Sequence, residues 1–404
     1  MEVESEVFLN DNFEKLLLDS DNELPLVESS DDEAALLVAS NYNEDSEYSD
    51  EDDYDNDNGW KEEIVARPSY PRISVAIADE VKLLKEPLEF YELFTEKVWD
   101  LLVIETNRYA KQKGVNGWIN TDLDEIRRFF GLCLKMGHVK MPRLRDYWDI
   151  SGELTPTPVA GSVMTRTRFE TLLVNLHLAD NTIADGKDRL FKIAPIISIL
   201  NDQSEKFFTP GSSLCVDESL VPFRGRIVFR QYIPNKRHRY GIKLFKICGD
   251  GGYTCRTKVY AGKEACQNTS VSEKVVLELA DKYLDVGRDI YTDNYYTGIP
   301  LGEKLIARKT NLIGTCRRNR KGLPKTLLQK KLKRGDKVAY QKNGIMVLKY
   351  KDKRDILMLS TRHDDTHDGE TQKPRVIEDY NRGKMYVDIS DQMCSYTPFS
   401  NDKA

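Results

Sequence analysis

Apolar residues recur at helical spacing between residues 85 and 210. In EFYELFTEKVWDLLVIETNRYAKQ they stand three or four residues apart, at Phe90, Phe94, Val98, Leu101 and Leu102, which is the period of one helix face. RFETLLVNLHL repeats the pattern, and so does the stretch around Ile126, Phe129 and Phe130, for which Thr121 is the expected N-terminal cap. The pattern predicts a helical domain over residues 66–210.

After Pro210 the pattern changes to short apolar or alternating runs, which indicate β-strands. SLCVDESLVPF, RYGIKLFKICG and GYTCRTKVYAG come first, and GDGGY between the last two is expected to form a hairpin turn. A capping box from Ser270 to Glu273 opens a helix. RDIYTDNYYTG, PLGEKLIARK and NLIGTCRRN then read as strand, helix and strand. This order predicts a mixed α/β core, whose first part covers residues 211–320.

Residues 321–374 are basic and carry short strand patterns around an Asn-Gly turn, VAYQKNGIMVLKYK and DILMLSTR. They predict a β-rich insertion. Residues 375–404 are expected to return to the core, with a strand-like KMYV followed by a helix that begins at Asp388 or Asp391.

Charge divides the chain into two parts. Residues 1–63 contain 23 Asp and Glu residues but only two lysines, so the remaining residues carry an excess of positive charge although the whole chain has a net charge of -6. Residues 1–65 are expected to be a disordered acidic arm, because they bury too little apolar surface to offset the entropy of ordering. The arm is either a solvating tail or a shield of the basic surface. The cationic remainder predicts a polyanionic partner.

Several classes of protein are excluded at this point. The chain has no apolar run of membrane-spanning length, and its acidic start is unlike a signal peptide. Its seven cysteines are scattered without a CxxC pair, as expected of reduced cysteines in an intracellular protein.

Three acidic positions are candidates for chemistry. Asp217 interrupts the apolar strand CVDESLV, Asp293 ends the strand DIYTD, and Asp388 begins the last predicted helix with Asp391 three residues later. Each has a structural alternative. Asp217 could face solvent on an edge strand, Asp293 could be a turn residue, and Asp388 and Asp391 could cap the helix and favour its dipole.

Taken together, these carboxylates fit a metal site. Mg²⁺ and Mn²⁺ prefer oxygen ligands, and two such ions about 3.5–4 Å apart support phosphoryl transfer. The sequence offers little competing chemistry, since it has no HExxH motif and no Walker-type glycine loop.

Basic residues follow the first two aspartates and alternate with aromatic ones, which suits phosphate contacts and base stacking. The alternative is a solvated charged face. The candidate DNA-binding residues are Arg224, Arg226, Arg230, Lys236, Arg237, Arg239, Lys243, Arg317, Arg318, Arg320 and Lys321.

Five blocks in this order resemble the piggyBac-type transposases and their host-derived relatives: DESLVPFRGR with YIPNKRHRYGIK, YTDNYYTGIPL, GTCRRNRKGLPK, LSTRHDD and DYNRGKMYVDISDQMCSY. The resemblance covers about residues 85–398. It implies an RNase H-like core with a catalytic, metal-binding triad of Asp217, Asp293 and Asp388, and Asp391 as a further acidic residue at the site. It also implies Mg²⁺ or Mn²⁺ as cofactor, double-stranded DNA with TTAA-type targets as partner, a homodimer without membrane association, and a nuclear location.

The chain departs from the family pattern in two places. Relatives commonly carry glycines directly before the Val-Asp pair of the third aspartate, where this chain has Lys384, Met385 and Tyr386. They normally continue into further helices and usually into a zinc domain. A C-terminally truncated chain is therefore expected.

Two functions remain open at this stage. The first is a DNA transposase that acts by metal-dependent strand cleavage and transfer. The second is a catalytically inactive, truncated or host-adopted remnant that still binds DNA. An unrelated metal-dependent nuclease is a third, weaker reading.

Overall fold

The centre of the molecule is a nine-stranded mixed sheet. The computed structural model describes residues 59–149 and 160–396, apart from 66, 68–69, 185, 224, 226, 234–238, 263–269 and 370. The strands of this sheet are β3 (Ser213–Pro222), β4 (Gln231–Tyr232), β5 (Tyr240–Cys248), β6 (Thr254–Val259), β7 (Asp289–Thr292), β8 (Asn311–Thr315), β9 (Lys337–Lys342), β10 (Ile345–Lys351) and β11 (Asp355–Ser360). A separate two-stranded ribbon pairs β1 (Ala76–Ile77) with β2 (Phe208–Thr209).

The strand order is β4-β5-β3-β7-β8-β11-β10-β9, and β6 pairs with β5 as well. β3, β7 and β8 run parallel to one another in the middle of the sheet, and the other pairs are antiparallel. Because successive side chains point to opposite faces of a strand, β3 supplies both cores. Leu214 and Val216 pack on one side and Cys215 on the other.

Helices cover both faces of the sheet and form the part of the molecule that precedes it. They are α1 (Asp79–Lys82), α2 (Pro87–Gln112), α3 (Leu123–His138), α4 (Ala160–Val163), α5 (Arg166–Asn175), α6 (Ala194–Phe207), α7 (Val271–Ala280), α8 (Ile299–Ala307), α9 (Lys325–Gln329), α10 (Arg375–Gly383) and α11 (Tyr386–Tyr396). α7 and α8 pack on the face of Leu214, and α10 and α11 pack on the face of Cys215. The mixed α/β architecture predicted for the core is confirmed.

The helical part has its own core, in which Trp99 of α2, Phe129 of α3 and Phe169 of α5 are buried together. The N-terminal cap of α3 was predicted incorrectly. Asp122, one residue after Thr121, accepts a hydrogen bond from the backbone N–H of Glu125 at 2.8 Å. A carboxylate is at least as good a cap as a hydroxyl, and its charge also favours the helix dipole.

The basic segment over residues 321–374 supplies β9, β10 and β11, which form one edge of the central sheet. The predicted Asn-Gly turn joins β9 to β10, with positive φ at both Asn343 and Gly344. Such angles match the twist of a two-residue hairpin.

Two expectations at the ends of the chain need correction. The strand-like KMYV is the junction between α10 and α11, where Val387 is buried as a helical residue. The predicted acidic arm lies outside the described residues up to position 58, but Lys61 pairs with Gln341 at the edge of β9. None of the described helices has the length and apolar character needed to cross a membrane.

Candidate active site

The first two candidate aspartates lie on neighbouring strands at the centre of the sheet. β3 and β7 are parallel, and their register runs from Ser213 opposite Asp289 to Val216 opposite Thr292. The next position in this register brings Asp217 beside Asp293, which directly follows β7. Since β3 has a strand on each side, the alternative that Asp217 sits on a solvent-facing edge strand is wrong.

These two carboxylates stand in an electrostatically unfavourable environment. Burial and the charges of Glu218 and Asp293 raise the pKa of Asp217 to about 8, although the Glu218 N–H donates to its Oδ1 at 2.8 Å. Burial and Glu218 also raise the pKa of Asp293, against the opposing effects of the Tyr295 N–H and Arg317. Close like charges in a dry environment favour protonation or a bound cation.

Glu218 is a third carboxylate at this place that the sequence interpretation missed. It follows Asp217 directly and therefore points to the opposite face of β3, where the hydroxyl of Tyr296 donates to its Oε2 at 3.1 Å. The sequence signal was available in the pair Asp217-Glu218 inside an apolar run.

The loop after Asp293 is held by two arginines from the loop that follows β8. The Tyr295 N–H donates to Asp293 Oδ1 at 2.8 Å, which is the turn role considered for this aspartate. Arg317 Nε donates to Asn294 Oδ1 at 3.0 Å, and Arg320 donates to the carbonyls of Asn294, at 2.9 Å, and Tyr295. Both arginines were predicted to contact phosphates, and the contacts that the structure shows are with the loop of the second aspartate.

A third candidate DNA-binding residue, Lys243, joins this cluster. Its Nζ lies 5.2 Å from the centre of the Tyr295 ring, and the Arg317 guanidinium lies 6.0 Å from the same ring. A cationic surface with an aromatic ring at its centre thus borders Asp293.

The other candidate DNA-binding residues are more dispersed. The Arg230 guanidinium lies 5.2 Å from the centre of the Tyr240 ring, and Arg318 donates to the Leu328 carbonyl at 2.9 Å. Arg239 and Lys321 are exposed. Four further candidates fall outside the described residues: Arg224, Arg226, Lys236 and Arg237.

The third aspartate lies at the start of α11, above the same face of β3. The Cys215 thiol donates to the Lys384 carbonyl at 3.3 Å. Burial raises the pKa of this thiol most, and the charges of Asp217 and Asp388 add smaller contributions. Cys215 is two residues before Asp217 and so shares its face. Asp388 itself is exposed. Within the described parts of the chain, no three or more His, Cys, Asp and Glu side chains are grouped as a metal site requires.

Asp391 has a different partner. Its Oδ1 lies 2.9 Å from the Nζ of Lys246 in β5. Lys246 is the residue opposite Asp217 in the antiparallel pair of β3 and β5, so its side chain shares the face of the candidate site. The sequence interpretation missed this lysine because nothing in RYGIKLFKICG separates it from the other basic positions.

Comparisons with known proteins agree on one family. The profile of the family described as Transposase IS4 matches residues 87–403. The human PiggyBac transposable element-derived protein 3 is 31% identical over 270 residues, which cover 64% of this chain and 45% of that protein. The human PiggyBac transposable element-derived protein 2 is 28% identical over 261 residues, which cover 62% of this chain and 43% of that protein. The chain thus spans less than half the length of these relatives.

A solved structure matches a larger share of this chain than the two human relatives do. The chain is similar to the piggyBac transposase in a cryo-EM structure of its synaptic complex with hairpin DNA, with a TM-score of 0.70 and 29% sequence identity. The match covers 80% of this chain and 70% of that one.

Proposed function

The chain belongs to the piggyBac-type transposase family, and we propose that it is a DDD-type DNA transposase, or a derivative of one, built on an RNase H-like core. The observation that carries this proposal is that Asp217, in β3, and Asp293, which directly follows the adjacent parallel strand β7, lie below the helix that begins beside Asp388. Sites on open α/β sheets lie at such strand ends.

The donor set of this site suits Mg²⁺ or Mn²⁺. Asp217 and Asp293 are carboxylates whose pKa values are raised by burial and by nearby acidic groups, and a divalent cation would offset this repulsion. Asp217 and Asp293 would hold the metal and Asp388 would complete the site. A bound pair of ions supplies activation of a water or a 3′-hydroxyl and stabilisation of the leaving oxygen.

The chain's own residues would bind and orient the DNA. Lys243, Arg317 and Arg320 present positive charge around Tyr295 next to Asp293, where phosphate contacts would hold a strand in register and the ring could stack on a base. The similar piggyBac transposase is described in complex with hairpin DNA. For this chain, double-stranded DNA with TTAA-type targets, a homodimer and a nuclear location are proposed by likeness to the family.

A second candidate function is DNA binding without catalysis. It is favoured by the third aspartate, since Asp388 is exposed and the described residues hold no group of three His, Cys, Asp or Glu side chains of the kind a metal site requires. A remnant of this kind would keep the cationic surface and lose the chemistry.

A cleavage and binding experiment separates the two functions. We expect the purified chain to nick DNA that carries the element's own ends in the presence of Mn²⁺. We expect Asp293→Asn to abolish nicking while DNA binding at low salt persists, because the amide is a poor ligand for a hard cation. The matched control is Asp79→Asn, which removes an exposed carboxylate from helix α1.

Each outcome selects a function. Nicking that survives Asp293→Asn would overturn the transposase proposal. Salt-dependent binding with no nicking by the unaltered chain would support the second candidate. Absence of binding at low salt would contradict both.

A further inference from the structure

Lys246 is a buried cation beside the candidate site. Its side chain is 10% exposed, and its Nζ lies 2.9 Å from Asp391 Oδ1 and 3.3 Å from Ser390 Oγ. Burying an ammonium group is costly unless it is paired and hydrogen-bonded. The pair therefore fixes the turn of α11 that contains Ser390 and Asp391 against β5.

Other contacts hold the same side of α11. The hydroxyls of Ser390 and Thr254 lie 2.8 Å apart, and Val387 is buried in the core between the helix and the sheet. Gly252 leaves room for Ile389, since a Cβ at this glycine would stand 2.6 Å from Ile389 Cγ2. These contacts and the ion pair of Lys246 hold the same side of α11 against the sheet.

Asp388 lies three residues before Asp391 and so emerges on a nearby side of the same helix. Its position over β3 depends on how α11 is docked. We propose that Lys246 is a positioning residue: through Asp391 it docks α11 so that Asp388 reaches the site of Asp217 and Asp293. The inference rests on the proposed function and assigns Asp391 as the counter-ion of Lys246.

The alternative role of Asp391 is that of a further metal ligand. In that arrangement its carboxylate would turn to the metal, and Lys246 would lose its counter-charge within a buried environment. Removing one partner of a buried ion pair is strongly unfavourable, which favours the counter-ion role.

The direction in which Mn²⁺ affinity changes when Lys246 loses its charge distinguishes a positioning role from a purely electrostatic one. Lys246→Met removes the charge and keeps an unbranched side chain that is one atom shorter. If Lys246 acted only by its charge, its removal would tighten Mn²⁺ binding, because a cation beside the site repels a metal ion. Positioning predicts the opposite, a loss of about tenfold or more in Mn²⁺ affinity, as is usual when a residue that orients a ligand is lost.

The test is a double-mutant cycle of Mn²⁺ affinity, measured by calorimetric titration of the full chain. Lys246→Met is compared in the unaltered and the Asp388→Asn backgrounds. We expect its effect to disappear in the second background, since positioning acts only through Asp388. Asp391→Asn should behave in the same way and serves as a second variant if Lys246→Met fails to fold. Thermal unfolding checks the fold of every variant.

Three results would overturn the positioning role. They are tighter Mn²⁺ binding by Lys246→Met, equal losses in both backgrounds, and an effect of Asp391→Asn that adds fully to that of Asp388→Asn. In these cases the unaltered chain still binds Mn²⁺, so the proposed function stands. If the unaltered chain binds no Mn²⁺, the catalytic function fails and the positioning role fails with it.

Discussion

At the scale of single residues, the buried carboxyl group of Asp217 lowers the stability of the metal-free fold as it ionises. With a pKa of about 8 in the folded chain, Asp217 keeps its proton at a pH where the same group in an unfolded chain has lost it. Between about pH 4 and pH 8 the native state therefore binds more protons than the unfolded state, and its stability falls as the pH rises. The metal-free fold is weakened at the place where a metal would bind.

We expect Asp217→Asn to remove this penalty. The amide cannot ionise, so the metal-free variant should unfold at a higher temperature than the unaltered chain at pH 8.5, and the gap should close towards pH 4. Thermal unfolding in the presence of EDTA across this range measures it. Asp79→Asn, which removes an exposed carboxylate, is the control, and a difference that stays constant with pH would contradict the assigned pKa.

The sequence could predict part of this chemistry. Asp217 stood out because a charge in an apolar strand needs a compensating partner, and Asp293 because it ends a strand. Lys246 could not be assigned in this way, whereas Glu218 was signalled by its place beside Asp217 in the same apolar run and was overlooked. The importance of Lys246 comes from register, which puts it opposite Asp217 on the neighbouring strand although β4 and two loops lie between β3 and β5 in the chain.

At the scale of elements, the docking of α10 and α11 on the sheet depends on close approach at glycine. Gly383 ends α10 and is buried, and a Cβ there would stand 2.4 Å from the Tyr291 ring. The ring cannot move freely, since its hydroxyl donates to Asp379 at 2.9 Å. KMYV was interpreted as strand-like because Met385, Tyr386 and Val387 form a short run of consecutive apolar residues. In the structure, Val387 is instead a helical residue that is buried in the core between α11 and the sheet.

We expect Gly383→Ala to lower the free energy of unfolding by about 1–3 kcal/mol through overpacking. Chemical denaturation measures it. Gly131→Ala is the matched control, because Gly131 lies within α3 with no neighbouring atom in the space of a Cβ and should gain up to about 1 kcal/mol from better helix propensity. Equal effects of the two substitutions would show that the contact with Tyr291 is unimportant.

At the scale of the whole molecule, residues 59–78, so far as the structure describes them, run from one edge of the central sheet to its middle, and we call them the strap. The strap begins at the edge of β9, where Lys61 exchanges backbone hydrogen bonds with Gln341 at 3.0 and 2.8 Å. It continues to the start of β7, where Arg72 pairs with Asp289 at 3.1 Å. It ends in the ribbon that β1 forms with β2. The strap also covers part of an exposed sheet edge, which would otherwise be open to pairing with other chains.

Gln341 is the residue on which the first half of the strap depends. Its side chain accepts from the Val65 N–H and donates to the Val65 carbonyl, both at 2.9 Å. We expect Gln341→Ala to expose Lys61 to trypsin and to cost about 1–2 kcal/mol for the two lost hydrogen bonds. Limited proteolysis followed by mass spectrometry identifies the cleavage sites. Gln112→Ala, which removes a glutamine paired with Asp180 in the helical part, controls for a general loss of stability. Equal rates of cleavage at Lys61 in both variants would mean that the strap is held by its second half, through Arg72 and the β1-β2 ribbon.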